Sequence, residues 1–372
     1  MKRIFLVFSV ISVIAMTRCS TDVELSAPYD SSAVIFGLLD PGLDTQWVKI
    51  NRTWLGDGNN IEIAAIRDSS EYADGAFVAT VERWQGGNIV QTYNVNDTIL
   101  DNKDTDGIFF APEYKAYYFL SPGGLNTDSE YRLNLDFPGS DDVEATTNVI
   151  DIPPGAVQFP ISPEDNAQFP GVQFAAVSQL GTTYYTQNFD WIAADNASRY
   201  EAKLRIYVKE YVYTDDTWSE LESTRDVELE WFVGTQNVDP ETTLSVGTDV
   251  NGQGFYQFLA ANFDPDPRVR RELGYWDSNI EVARVFDFIV TMANDELDTY
   301  LDINEPVTNI VQERPNYTNV SNGIGLWASR ATMIVEGVEI TEGSIVALVQ
   351  GEFTADLNFC SPNPNNAFYC GE

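Results

Sequence analysis

The stretch Gln187–Tyr213, QNFDWIAADNASRYEAKLRIYVKEYVY, decides how the rest of the chain is read. Ala202, Leu204, Ile206 and Val208 alternate with Lys203, Arg205, Tyr207 and Lys209. Successive side chains of a strand point to opposite faces, so this pattern predicts a long strand with one buried face. Asp195 and Asn196 mark a turn between Trp191 and the strand that holds Tyr200.

Working outward, the order Trp191, acidic turn, Tyr200, long strand predicts a fibronectin type III-like β-domain over 171–358. Upstream, SSAVIFGLLD, TQWVKINRTWL, GAFVATVERW and EYRLNLDF are each about one strand long and end at Gly, Asp or Pro. NIEIAAIRDSSEY reads as a further strand leading to a turn. These runs predict a β-sandwich over 33–150. DIPPGAVQFPISPEDNAQFPG carries five Pro residues and predicts a linker at 151–170, because Pro interrupts strand ladders. Phe255, Phe258, Leu259 and Phe263 recur at helical spacing before Asp264 and Pro265, which predicts a helical insertion near 253–275. DELDTYLDIN reads as a short helix. VARVFDFIVTMAN, GIGLWASRATMIVEGVEI and SIVALVQGEF read as strands. The expectation is a mainly β protein of tandem β-sandwiches.

The chain has 372 residues, 57 acidic against 21 basic, and a net charge of −36. So negative a surface repels phosphate backbones and anionic headgroups, which argues against nucleic-acid binding and against electrostatic membrane docking. The chain contains no His. That removes Ser-His-Asp and Cys-His catalysis, HExxH metalloproteases and His-ligated zinc, and leaves carboxylates, Tyr, Lys or a hard metal ion for any chemistry.

The N-terminus reads MKRIFLVFSVISVIAMTRC. Lys2 and Arg3 precede an apolar run from Ile4 to Met16, which is shorter than the ~20 residues of a bilayer span. This is the pattern of a signal peptide over 1–18, followed by Cys19 as the lipid attachment residue and a polar tether over 19–32. Arg18 departs from the small residue usual before a lipidated Cys, and cleavage after Ala15 is the rival. Asp22 and Glu24 leave both faces of the membrane open as the address. In an exported chain Cys360 and Cys370 can pair, closing the tail 359–372 with a disulfide worth roughly 3 kcal/mol at most in the chain-entropy model.

One segment has near-calcium-loop spacing. In NKDTDGIFFAPE, Asn102, Asp104 and Asp106 supply side-chain oxygens, Ile108 a carbonyl and Glu113 a carboxylate, with Gly107 for the sharp turn. Asn at the first position, Pro112 before Glu113 and strand-like flanks favour a structural turn over calcium. No other cofactor is implied. Trp84, Tyr117, Tyr118, Trp218, Trp231 and Trp276 offer rings that could stack on sugars, although core packing is the commoner use of aromatics.

VIFGLLDPGLDTQWVKINRTWLGDGN, KDTDGIF, SEYRLNLDFP and INEPVTNIVQERPNYTNVSNGIGLWASRA together resemble a family of Bacteroidetes outer-membrane lipoproteins that often accompany TonB-dependent receptors. The resemblance spreads over most of residues 30–335. It implies a lipid anchor, an immunoglobulin-like first domain and a second β-domain, and it supplies no catalytic residues. The expectation is therefore a non-enzymatic lipoprotein anchored to the outer membrane, acting as a binding or accessory module for a membrane β-barrel protein in uptake or export. A glycan-binding or glycan-processing surface protein and a calcium-dependent adhesion-like module are the alternatives.

Overall fold

The computed structural model describes residues 31–54, 59–166, 169–239, 244–305 and 316–371. The signal segment, Cys19 and all but the end of the tether lie outside the described residues. The protein is mainly β. Its strands are β1 (Ala33–Leu39), β2 (Thr45–Arg52), β3 (Val78–Gln85), β4 (Asn88–Asn94), β5 (Asn96–Leu100), β6 (Tyr114–Leu120), β7 (Glu130–Asp136), β8 (Val143–Asn148), β9 (Val157–Phe159), β10 (Ala175–Ser178), β11 (Gly181–Tyr184), β12 (Thr186–Ile192), β13 (Arg199–Tyr213), β14 (Leu221–Asn237), β15 (Ser245–Asn251), β16 (Val269–Leu273), β17 (Tyr275–Asp277), β18 (Val282–Arg284), β19 (Phe286–Ala293), β20 (Val320–Ser321), β21 (Gly323–Val338) and β22 (Phe359–Cys360). The helices are α1 (Asn60–Ala64), α2 (Arg67–Ser70), α3 (Gly252–Asn262), α4 (Asp295–Asn304) and α5 (Glu342–Gln350).

The first sandwich stacks two sheets. One runs β21-β1-β2-β6-β5 and the other β20-β8-β7-β3-β4. Inward positions follow the period of two: Ile35 on β1, Val48 and Ile50 on β2, Val81 on β3, Phe119 on β6, and Leu133 and Leu135 on β7. Trp327 closes this core from β21, fully buried, with its indole N–H donated to the Tyr131 carbonyl at 3.0 Å. Gly37 lies directly beneath that ring. A Cβ there would sit 2.4 Å from two ring carbons, so the site admits only Gly while Trp327 keeps its place.

The second unit is built on β13, the long strand of the opening stretch. β14 pairs with it along one edge, and β19 and β16 pair with it along the other. The sheet β15-β12-β9 faces it, and Trp191, Phe189, Phe286, Phe288, Tyr200 and Leu204 fill the space between. β9 lies inside the Pro-rich segment, so that segment contributes a strand to the second core. The helical insertion is shorter than its expected span. α3 ends at Asn262, after which the DPDP run leads into β16. Cys360 and Cys370 form a disulfide with Cα atoms 5.1 Å apart. β22 adds parallel to β16, so the tail is part of the sheet.

β21 belongs to both units. Its first half, Gly323–Ser329, pairs parallel with β1, and Arg330–Val338 pairs antiparallel with β19. The two units thus share one continuous sheet, and the first sandwich is completed only by residues that follow most of the second.

Two segments expected as strands are helical. NIEIAAIRDSSEY holds α1 and α2, because the Asn59 side chain accepts the Ile61 N–H and starts a helix. In SIVALVQGEF, Thr341 caps α5 by accepting the Ser344 N–H at 3.4 Å, and Ile345, Ala347 and Leu348 meet the core at helical spacing. A short apolar run is ambiguous by period alone, and the cap decides.

Candidate functional site

The two outer faces of the first sandwich differ in chemistry. Outward positions on an antiparallel sandwich are expected to be polar. The β3-β7-β8 face is mostly polar: Glu82, Glu130, Asn134, Thr146 and Asn148 point outward, Val78 at 64% exposed is an apolar exception, and Arg132 ion-pairs with Glu130 while lying 3.9 Å over the Trp84 ring. The indole N–H of Trp84 is donated to Glu82 at 2.9 Å.

The β1-β2-β6 face does not obey. Its outward residues include Phe36 and Leu38, each 38% exposed, Trp47 at 46%, Leu120 at 54%, and Tyr118, with Lys49 exposed among them. Ile324 on β21 extends the row at 45%. The register brings them together: Phe36 lies opposite Leu326 and Lys49, Trp47 opposite Tyr118, and Thr45 opposite Leu120. The Trp47 and Tyr118 rings are 5.3 Å apart. Contiguous exposed apolar surface of this kind marks a place where something else packs.

Part of the face is already covered. α4 lies over β21, so that Leu326 and Ala328 are buried against Leu297, Tyr300, Leu301 and Tyr317. The cover ends where the Tyr300 ring meets Phe36 edge-on at 6.1 Å. α4 is set in place by Asn294, which is 2% exposed. Its Oδ1 accepts the N–H groups of Leu297 (3.3 Å) and Ser329 (3.1 Å), and its Nδ2 donates to Thr147 Oγ1 (2.8 Å), the Asn148 carbonyl (3.1 Å) and Glu296 (2.5 Å). Glu296 is half-buried there, and desolvation holds its carboxyl above the ordinary value. Arg199 pins the helix from below through Asp298 (2.6 Å), Asp302 and Glu305 (3.2 Å).

The sequence-predicted sites fall elsewhere. In the Asn102–Glu113 loop, the Asp104 carboxylate accepts the N–H of Asp106 at 2.9 Å, an Asx turn. The Ile108 side chain is 53% exposed, and Glu113 lies 3.7 Å from Arg67. Lys103 donates to the Phe110 carbonyl at 2.8 Å, holding the loop from inside. Among the described residues no group of three or more His, Cys, Asp or Glu is arranged to hold a metal ion. The proposed sugar-stacking aromatics are dispersed. Tyr117 is buried, Trp231 stacks on Phe258 at 5.6 Å, and Trp218, 38% exposed, packs under Arg270 at the far end of the second unit. A cleft of about 700 Å³ between the two units is lined by Trp84, Asp128, Arg132, Asp151 and Asp195.

The apolar face itself escaped the sequence reading. AVIFGLL is apolar in both registers, which leaves its outward side unmarked, and Trp47 shares a register with Lys49 and Asn51. That misplaced Trp was the available signal. No protein-family model matches the chain, and no curated protein matches it.

Proposed function

We propose that this chain is a non-enzymatic binding module, anchored to the outer membrane through a lipid on Cys19, that docks onto a membrane β-barrel protein in uptake or export. The observation that carries the reading is the apolar β1-β2-β6 face. Its place relative to the anchor favours a membrane partner. The described chain begins at Ser31 and enters β1 at Ala33, so Phe36 and Leu38 follow the tether directly. Fourteen residues at ~3.4 Å each hold β1 within roughly 50 Å of the lipid, the zone that the loops of a barrel occupy.

Two local features support the expected immunoglobulin-like and fibronectin type III-like character of the sandwiches. The Tyr131 hydroxyl accepts the Asn126 N–H at 2.8 Å, and the Tyr200 hydroxyl accepts the Ala194 N–H at 2.8 Å. A Tyr hydroxyl bonded to backbone a few residues upstream is the corner device of immunoglobulin-type sandwiches. The test is co-purification of the full-length protein from native envelopes with Trp47→Glu or Leu38→Asp. Recovery of an integral β-barrel protein by the unaltered chain, reduced at least tenfold by either substitution, is the expected result. Undiminished recovery with both, in folded protein, defeats the reading.

A further inference from the structure

The part of this face that the described residues leave open is about as wide as one helix. β1, β2 and β6 are adjacent strands of 7, 8 and 7 residues. Strands about 4.8 Å apart give the strip a width of roughly 10–14 Å; along β2 it runs from Thr45 to Lys49 before Asn51 bonds the Ser70 carbonyl of α2, a length of roughly 15 Å at ~3.3 Å per residue. A single α-helix is about 10–12 Å across, and about 10 of its residues span that length. α4 already packs on the neighbouring strand of the same sheet, and its Tyr300 forms one wall of the strip.

The margins of the strip are acidic beside α4 and at the β1–β2 turn, whereas at the other end Lys103 lies near Lys49. α4 carries Asp295, Glu296, Asp298 and Asp302 and no Lys or Arg; Asp298 and Asp302 share Arg199 and Glu296 faces Thr147 and Asn294, which leaves Asp295 as its exposed carboxylate outside those contacts. Asp40 and Asp44 lie in the turn that joins β1 to β2 at one end. Lys49 is the one cation among the strip's outward residues. We infer that the occupant is a single amphipathic helix of the partner protein, apolar on the side that meets Phe36, Leu38, Trp47 and Leu120 and basic along its flanks, lying beside α4. This rests on the docking reading above. Charge complementarity selects the occupant: a basic flank is drawn to Asp295, Asp40 and Asp44, whereas a second copy of this chain, at −36, brings the same acidic margins against them. An anionic lipid surface meets the same repulsion.

The test places a benzoylphenylalanine photo-crosslinker at position 38, 47 or 120 of the full-length chain, one at a time, in native envelopes. The crosslinked peptide is identified by mass spectrometry. A thermal melt matching that of the unaltered chain qualifies each variant, and three positions guard against one that misfolds. The expected product is one segment of an integral membrane protein, with apolar residues at i, i+3, i+4 and i+7 and Lys or Arg beside them. That segment, synthesised as a peptide, should bind the unaltered chain, lose affinity roughly 30-fold or more with Trp47→Ala, and weaken as salt is raised. A crosslinked strand, or a segment without basic residues, overturns the helix inference and leaves the docking reading standing. Crosslinks only to lipid or to a second copy, or none at any position, overturn both.

Discussion

Replacing Asn294 with Ala tests whether the two units are locked together at one buried polar joint. The side chain caps α4, and loss of such a cap costs about 1 kcal/mol. It also accepts the N–H of Ser329, a residue with no exposed surface, and an orphaned buried donor costs roughly 1–3 kcal/mol. On its other side the amide donates to Thr147, to the Asn148 carbonyl and to the Glu296 carboxylate, and the loss of that donor adds about another 1 kcal/mol. Asn294→Ala should therefore destabilise by roughly 3–5 kcal/mol, a large share of the 5–15 kcal/mol typical of a folded protein. Urea unfolding followed by Trp fluorescence and far-UV circular dichroism measures it. Trp327 and Trp191 report on the two cores. A loss below about 1 kcal/mol would mean that the donors and acceptors at this joint had found other partners and that the joint does not lock the units. Asn294→Asp is the informative companion. It keeps the acceptor oxygen for the cap and sets a second carboxylate against Glu296, so its deficit should shrink as the pH falls.

Three further predictions concern charge. Arg271 and Glu210, 3% and 4% exposed, pair at 2.9 Å, Arg225 holds the other Glu210 oxygen, and Arg271 also donates to the carbonyls of Leu357 and Asp264, so Arg271→Met should cost about 2–3 kcal/mol by denaturant melt, with Arg225 still facing the Glu210 charge. Glu296 has its carboxyl raised above the ordinary 4.5 by burial, with Asp295 adding to the effect. Its contribution to stability is present at low pH and lost as the pH rises through the folded value, so Glu296→Gln should match the native protein near pH ~4 and exceed it near pH ~7. An equal gap at both pH values contradicts this. Titration with millimolar calcium should give no saturable heat if the Asn102–Glu113 loop is a turn, and saturable heat abolished by Asp104→Asn would establish the metal instead.

The part of the fold legible along the chain is local. Alternation in Ala202–Val208 marked β13, the spacing of Phe255, Phe258 and Leu259 marked α3, and two nearby Cys residues marked the closed tail. Each signal is carried by neighbours within one element. The remainder depends on residues far apart in the chain. Pairing of β1 with β21 joins Ala33 to Gly323, and no local pattern announces a partner at that distance. That pairing makes the two units share a strand and carries α4 onto the first sheet. It also settles which side of AVIFGLL is inward. The run is apolar in both registers, so its core side was chosen by Trp327 arriving over Gly37, and Phe36 and Leu38 were left outside.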